Sequence, residues 1–552
     1  SKITSLNLLA AIWTASGIFI LIKTAVIIIE IAGADKKVEI LRNKTLQIIF
    51  ISAAAFSLAF SRTYWQQGAS VEVYSFQLFI FSIILWATLS SYKKFVNKQR
   101  INWLVIATLL AVGFANHMTT LLLLPGIAYI FFRTEGFSKT AFAKIGKMLA
   151  LFFPLLIFFY SYLPFRAAFK PTLNWGNVIN FENFWRHFTG KQYQVWLFAS
   201  VDAAKKQLAY FISNIGNEFT YFGILLALLG IFFLLKKNKP LFTFLIINFL
   251  FTIIYSINYD INDIDSYFLL AYINLSIFVM FGFYQLLSIF DRIKQRTIAA
   301  AIISSFLVGY IFINNFNAAD QSDLYIFEDY TKAAIGSLPE NSILFTYQWD
   351  YLVSPSYYFQ YVENFRNDVV VIDKELLRRS WYYKQLKQNF PGLLEKLKPE
   401  TSGFLKALQP FERSENFNAK LLENYYRAIM SKLISENIER HPYFIAPELV
   451  DNEMRRNEFI LPPGMTIVPH LFFFEVVKSN DYVEAPLPNF TLRDSKFGNK
   501  YTAMIKNIIV QMLARRALYE LSFDKIERAK IFTAKIRSDF PGFRIPVKLR
   551  NL

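Results

Sequence analysis

Ten apolar runs are strung through the first 314 residues of this chain, at 6–30, 45–60, 76–90, 101–115, 119–132, 147–163, 219–235, 240–257, 267–290 and 297–314. A helix needs roughly 20 apolar residues to cross a bilayer, and in lipid every backbone polar group must find its partner within the protein. The pattern predicts a polytopic α-helical membrane protein with about ten transmembrane helices. The runs 101–115 and 119–132 are short, and the polar pair Asn116-His117 between them reads as a return between two spans. Hydrophobic residues make up 54% of the 552, with 59 Phe. A soluble domain is nearer 45–50% apolar, and the excess sits before residue 315; from 318 the composition is that of an ordinary soluble protein.

The net charge of +18 raises nucleic-acid binding as a first reading. The distribution argues against it. In the first half the cations sit in alternate short loops: Lys36, Lys37, Arg42 and Lys44; Lys93, Lys94, Lys98 and Arg100; Arg133, Lys139, Lys144 and Lys147; Lys236, Lys237 and Lys239; Arg292, Lys294 and Arg296. Loops of this kind face the cytoplasm. The intervening short loops hold almost none, Arg62 excepted. This orientation puts Ser1 and all of 318–552 outside, and a chain that starts outside without a signal sequence is expected to have an earlier helix before it. Without cysteine, the outer half can hold no disulfide. The richness in Ile, Phe, Lys and Asn suits a bacterium with an AT-rich genome.

The polar residues that invite a chemical role all fall on the outer side. In 61–75, Glu72 stands at the mouth of an apolar run between Trp65 and Tyr74. It is either a carboxylate in a substrate cleft or a solvated acid in an interfacial aromatic belt. His117 is a candidate hydrogen-bonding group for a phosphate or sugar; alone it makes no metal site. The outer loop 164–218 carries Arg166, Arg186, Asn174, Trp175, Trp185 and Tyr193. Guanidinium groups pair with phosphate through a bidentate fork, and the aromatics either stack on a sugar or lie in the interface. In 258–266, Asp260, Asp263 and Asp265 crowd one short turn just before Tyr267. Such neighbours repel unless a cation relieves them, which makes them candidates for a divalent metal or for pairing with Arg62 or Arg166. No phosphate-binding Gly loop, His-Glu-x-x-His or nucleophile elbow occurs, and no other cofactor is implied.

In the soluble half, 343–346, 369–372, 443–446 and 472–477 read as strands, with a helical stretch at 351–365 between the first two. That is an α/β pattern with a parallel pair. Residues 500–537 read as a helical hairpin. The expected domains are a membrane part, 1–317, with the outer loop 164–218; an α/β domain, 318–490; and a helical segment, 491–552.

Several stretches, in order, resemble the transmembrane protein 260-like family of protein O-mannosyltransferases, in its bacterial branch. They are 65–74, with its Glu72-Val73-Tyr74; Gly113 to His117; Leu163 to Arg166 with Asn174-Trp175-Gly176; and Tyr259 to Phe268. In the soluble half 342–346, 358–371, Leu376-Leu377 and Trp381-Tyr382 join them. Two departures stand out. A Gly-Asp-rich turn of the bacterial members is Tyr347-Gln348-Trp349-Asp350 here, and the resemblance leads one to expect the family's N-terminal helix and first outer loop, with its acidic motif, ahead of residue 1.

The resemblance implies a C-type membrane glycosyltransferase in a bacterial inner membrane, its C-terminal domain periplasmic. It would move a mannose-like sugar from a polyprenyl phosphate to a hydroxyl of an exported protein. Arg62, Arg166 and Arg186 would serve the donor phosphate. Glu72, Asp263 and Asp265 are base candidates, the family's usual base being expected in the absent loop. Trp65, Tyr74, His117, Asn174, Trp175, Tyr193, Asp260 and Tyr267 would bind substrate. Transfer to lipid A or a polysaccharide remains open, as does a transporter or flippase, although no internal repeat is visible.

Overall fold

The computed structural model describes residues 2–33, 43–288, 293–493, 495, 496, 498 and 500–552. Lys36, Lys37, Arg42 and Arg292 of the basic loops lie outside them. The chain divides into two compact units. Unit 1 comprises residues 1–168 and 179–321, and unit 2 comprises 169–178 and 322–552.

Unit 1 is helical: α1 (Lys2–Gly33), α2 (Lys44–Ala59), α3 (Arg62–Ala69), α4 (Val73–Val96), α5 (Leu104–Asn116), α6 (Leu124–Glu135), α7 (Lys139–Ala168), α8 (Phe181–Phe188), α9 (Val201–Lys237), α10 (Lys239–Ile257), α11 (Leu269–Leu287) and α12 (Ile293–Ala319). Among the described residues seven helices are long and apolar enough to cross a membrane, or eight if α2 and α3, bent by 65°, count as one span. The two remaining runs of the expected ten fold short. Run 101–115 becomes the 13-residue α5, and run 119–132 a 3-10 turn (Met118–Leu123) followed by the 12-residue α6. The break is at His117, whose extended backbone (φ −155°) ends α5.

The apolar surface identifies the surroundings. α7 buries only Ala141, Leu156 and Ala167, and presents Phe153, Ile157, Phe158 and Phe159 outward. A bare apolar helix of 30 residues needs lipid around it. α11 is the reverse, buried on nearly every face, and it crosses α9 at a point where two glycines let the backbones touch. A Cβ on Gly230 would fall 1.8 Å from the Phe278 carbonyl oxygen, and one on Gly282 would fall 2.0 Å from that of Leu226. Close crossings through small residues are how helices associate where lipid removes the hydrophobic drive.

Unit 2 contains α13 (Ile326–Gly336), β1 (Ile343–Thr346), α14 (Ser354–Glu363), β2 (Val370–Asp373), α15 (Ser380–Asn389), α16 (Lys398–Glu412), α17 (Ala419–Ser435), β3 (Tyr443–Ile445), β4 (Thr466–Pro469), β5 (Phe474–Val477), α18 (Lys500–Ser522) and α19 (Ile526–Asp539). The sheet order is β2-β1-β3-β5-β4. β1 lies parallel to both β2 and β3, and β5 antiparallel to β3 and β4. Alternation along β1 divides the core: Leu344 packs with side chains of α13, α18 and α19, while Ile343 and Phe345 pack with those of α15 and α17. The expected strands are present within two residues at each end. β4 was not foreseen, because it is four residues long and only Val468 is buried.

Candidate functional site

The 3-10 turn Ile264–Phe268 organises the polar end of unit 1. With about three residues per turn, successive side chains leave such a turn in directions about 120° apart. Asp265, Ser266 and Tyr267 accordingly meet three different neighbours. The Tyr210 hydroxyl of α9 donates to Asp265 Oδ1 at 2.7 Å. Gln67 Nε2 of α3 donates to Ser266 Oγ at 3.2 Å. Tyr267 faces Tyr74 of α4, their ring centroids 6.0 Å apart.

The Tyr267 ring also lies 6.0 Å from His117, 5.0 Å from Tyr259 and 6.3 Å from Tyr255, and Tyr74 lies 5.2 Å from His117. The Thr119 N–H donates to His117 Nδ1 at 3.2 Å, so that nitrogen is an acceptor and the neutral ring carries its proton on Nε2. Asn116 donates to Gln77 Oε1 at 2.8 Å, and Gln77 donates to Thr120 Oγ1 at 2.8 Å, which ties the broken helix to α4. The segment 196–198 pairs with 258–260 through the Leu197–Tyr259 bridge. Tyr193, just before it, interacts with Tyr259.

Beside Asp265 sits a buried acid that sequence reasoning missed. Glu218 of α9 is 2% exposed. Its carboxylate accepts the Thr63 N–H at 3.0 Å and the Thr63 hydroxyl at 2.5 Å. Arg62, the preceding residue, is exposed and acts electrostatically on Tyr210, as Glu218 does. Two residues past Glu218, Thr220 breaks α9 at φ 61°, a conformation costly for a β-branched side chain, and its hydroxyl caps the Gly223 N–H at 3.1 Å. The available signal was the one that picked out Glu72: an acid at the mouth of an apolar run.

The metal expectation is corrected, and the other expected residues take varied places. Asp260, Asp263 and Asp265 do not form a metal site. Asp260 pairs with Lys206 at 3.1 Å and Asp265 with Tyr210, while Asp263 is exposed. Among the described residues no three His, Cys, Asp or Glu side chains are grouped to hold a metal. Trp65 does not join the tyrosines; it packs on Phe60 and on Phe312 of α12 at 5.1 and 5.4 Å. Arg186 is engaged with Glu182, one helical turn away, at 2.5 Å. Glu72 is exposed at the N-cap of α4 and acts on Tyr74, while Arg166 is exposed on the last turn of α7.

Asn174 and Trp175 belong to unit 2. There the Asn174 N–H donates to Gln385 Oε1 at 3.2 Å, and Trp175 packs on Trp381 and Trp349 at 4.8 and 5.6 Å. These rings line a cavity of about 400 Å³ with Leu173, Tyr357, Tyr358, Tyr361 and Leu376. The carboxyl ends of the parallel strands carry buried acids. Burial pushes Asp373 up to about 6, against the Glu375 and Leu376 amides that its Oδ1 accepts, and pushes Glu448 up to about 7. Glu448 Oε1 accepts the Thr346 hydroxyl at 2.6 Å.

Lipid-facing apolar helices, a polar constellation where helices end, and a separate α/β unit define a polytopic membrane protein of mixed architecture. Residues 1–140 match the family model for the protein O-mannosyl-transferase TMEM260 N-terminal domain, and residues 327–391 match the TMEM260-associated domain 2. Among similar proteins, one from Dictyostelium discoideum, named protein O-mannosyl-transferase tmem260, is 24% identical over 380 residues, covering 60% of this chain and 46% of that protein. One from Mus musculus, named protein O-mannosyl-transferase TMEM260, is 21% identical over 368 residues, covering 62% and 51%. These matches support a likeness to the TMEM260-like family. It spans about half the length of these relatives. No solved structure matches it.

Proposed function

We propose that this chain is a membrane glycosyltransferase of the C-type superfold, moving a mannose-like sugar from a polyprenyl phosphate to a hydroxyl of an exported protein. The observation that carries the reading is the turn Ile264–Phe268, whose Asp265 and Tyr267 meet Tyr210 of α9 and Tyr74 of α4. The names of the relatives support the same class of reaction. The alternating basic loops favour this turn and unit 2 on the side away from the cytoplasm, and the composition suits a bacterial inner membrane.

In the proposed step the acceptor oxygen bonds to the sugar C1. The C1–O bond to phosphate breaks, and its electron pair leaves with the polyprenyl phosphate. The acceptor proton passes to a carboxylate. Asp265 is the preferred base because a neighbouring phenol orients it, with Glu72 and Asp263 as further candidates. Arg62 and Arg166 would meet the developing phosphate charge. Tyr74, His117, Tyr193, Tyr259 and Tyr267 would hold the sugar, with the His117 Nε2–H as a donor. Unit 2 would position the acceptor polypeptide.

The test is transfer of radiolabelled mannose from polyprenyl-phosphate mannose to acceptor protein by the protein in nanodiscs. Transfer that is lost in Asp265→Asn and weakened in Arg62→Ala supports the assignment. Full activity in both variants removes it.

A further inference from the structure

We propose that α8 lies in the membrane interface, with Phe181 and Trp185 against lipid. Asn180 starts this helix, its side chain accepting the Asn183 N–H at 2.8 Å, and Gly190, at φ 62°, follows its end. At about 100° per residue, Phe181, Phe184, Trp185 and Phe188 fall within about 100° of arc, and Glu182, Asn183, Arg186 and His187 take the rest of the circumference. Eight residues make a helix about 12 Å long, too short to cross a bilayer.

Protein covers one edge of the aromatic face. Phe184 and Phe188 pack on Tyr160 of α7, with ring centroids at 6.1 and 5.0 Å. The other edge is open: Phe181 and Trp185, stacked on each other at 6.2 Å, stay 76% and 52% exposed.

Depth decides what lies against that open edge. At 1.5 Å per residue, Tyr160 stands about 9 Å before Arg166 along α7, toward the middle of the span. Exposed Phe158 and Tyr162 flank it, and exposed Phe165 lies beyond it toward the helix end. The lipid-facing surface of α7 therefore extends past the level at which α8 touches it, and the open edge of α8 continues that surface. A soluble partner on this edge would have to sit within the bilayer, where acyl chains already are. A Trp- and Phe-bearing face opposite a charged one is also the composition of helices that lie in the interface.

The segment after α8 carries this placement to the polar site. The Asp260 N–H donates to the Trp196 carbonyl at 2.9 Å, and the Phe198 N–H to that of Asn258 at 2.7 Å, just before the turn Ile264–Phe268. A helix held in the interface thereby holds that turn near headgroup depth, the level at which a polyprenyl phosphate carries its charge. This consequence rests on the transferase reading; the lipid contact does not.

The chain has no cysteine, so a single introduced thiol carries a nitroxide at a unique place. The experiment is power-saturation electron paramagnetic resonance on the full chain in phosphatidylcholine nanodiscs. It compares collisions with oxygen, which concentrates in lipid, and with a water-soluble nickel chelate. Phe158→Cys on α7 sets the lipid value, and Lys548→Cys in unit 2, exposed, sets the water value. Labels on Phe181→Cys and Trp185→Cys are expected to give an oxygen-to-nickel ratio severalfold above the water value and close to the lipid value. His187→Cys, on the polar face, is expected near the water value. Two positions on one edge keep the test decisive where one substitution prevents folding. Water-like ratios on that edge, or shielding from both reagents by a second copy or another part of the chain, overturn the proposal. The measurement needs no sugar transfer, so an inactive protein tests the lipid contact as well as an active one.

Discussion

The helix α7 and the helical span Ile264–Leu287 are both apolar enough to cross a membrane, yet 6% of the apolar stretch of one is buried and 89% of the other. Hydropathy measures whether a segment tolerates hydrocarbon, and lipid tails and neighbouring side chains are equally good hydrocarbon. What separates the two is fine composition. The buried span carries Asn274, Ser276 and Gly282 among its large residues, groups that would be wasted or costly against lipid. α7 carries Pro154 and Pro164 within a face of Phe and Leu. Function follows the difference: the turn that gathers the polar site is the first turn of the buried span.

The sharpest way to break this comparison is Gly282→Leu. Even the first added carbon would fall 2.0 Å from the Leu226 carbonyl. We expect no monodisperse folded protein by size-exclusion chromatography, and a normal profile would show that the α9–α11 crossing is not as close as drawn. Asp265→Asn should leave the fold intact and cut transfer by about 10²–10⁴-fold, the range for removing a general base. A paired substitution sharpens the contrast. Phe278→Ala, fully buried on α11, should cost about 3–5 kcal/mol, whereas Phe158→Ala, 69% exposed on α7, should stay within about 0.5 kcal/mol. Denaturant titration in mixed micelles measures both, and similar losses would show that α7 is packed against protein.

The smallest effect extends the contrast to unit 2, where burial acts on charge. Burial raises Glu448 to about 7, so the folded form holds a proton that the unfolded form releases near 4.5. Its contribution to stability is full below that lower value and is lost as pH rises through about 7. Between pH 7 and pH 5 this amounts to about 2 kcal/mol. Protection factors of β1 and β3 amides, taken against the intrinsic exchange rate at each pH, should rise on acidification over that range in the wild type, and Glu448→Gln should flatten the dependence. An unchanged slope in the variant would assign it to another group.

Much of this architecture was legible beforehand, and the misses are instructive. The apolar runs and the strands at 343, 370 and 443 were visible because hydropathy and alternation are local. Asp265 and Tyr267 drew attention through the crowding of acids. The same crowding misled: a metal site needs side chains that converge, whereas Asp260 turns to Lys206 and Asp265 to Tyr210. Tyr210 and Glu218 went unread because their partners, Asp265 and Thr63, stand 55 and 155 residues away. Trp65 was read from its neighbours in sequence, whereas its neighbours in space, Phe60 and Phe312, stand elsewhere in the chain order.

From the amino-acid order alone came a membrane-embedded first half, an α/β second half and the family likeness, all properties of composition and short-range pattern. Tertiary structure decided which apolar helix lies at the centre and which acid meets a phenol. It also decided that a ten-residue piece of the loop 164–218 packs as part of unit 2. The reason is physical. A side chain's tolerance for oil or water is written in its own atoms, whereas its partner depends on where the rest of the chain brings a second group.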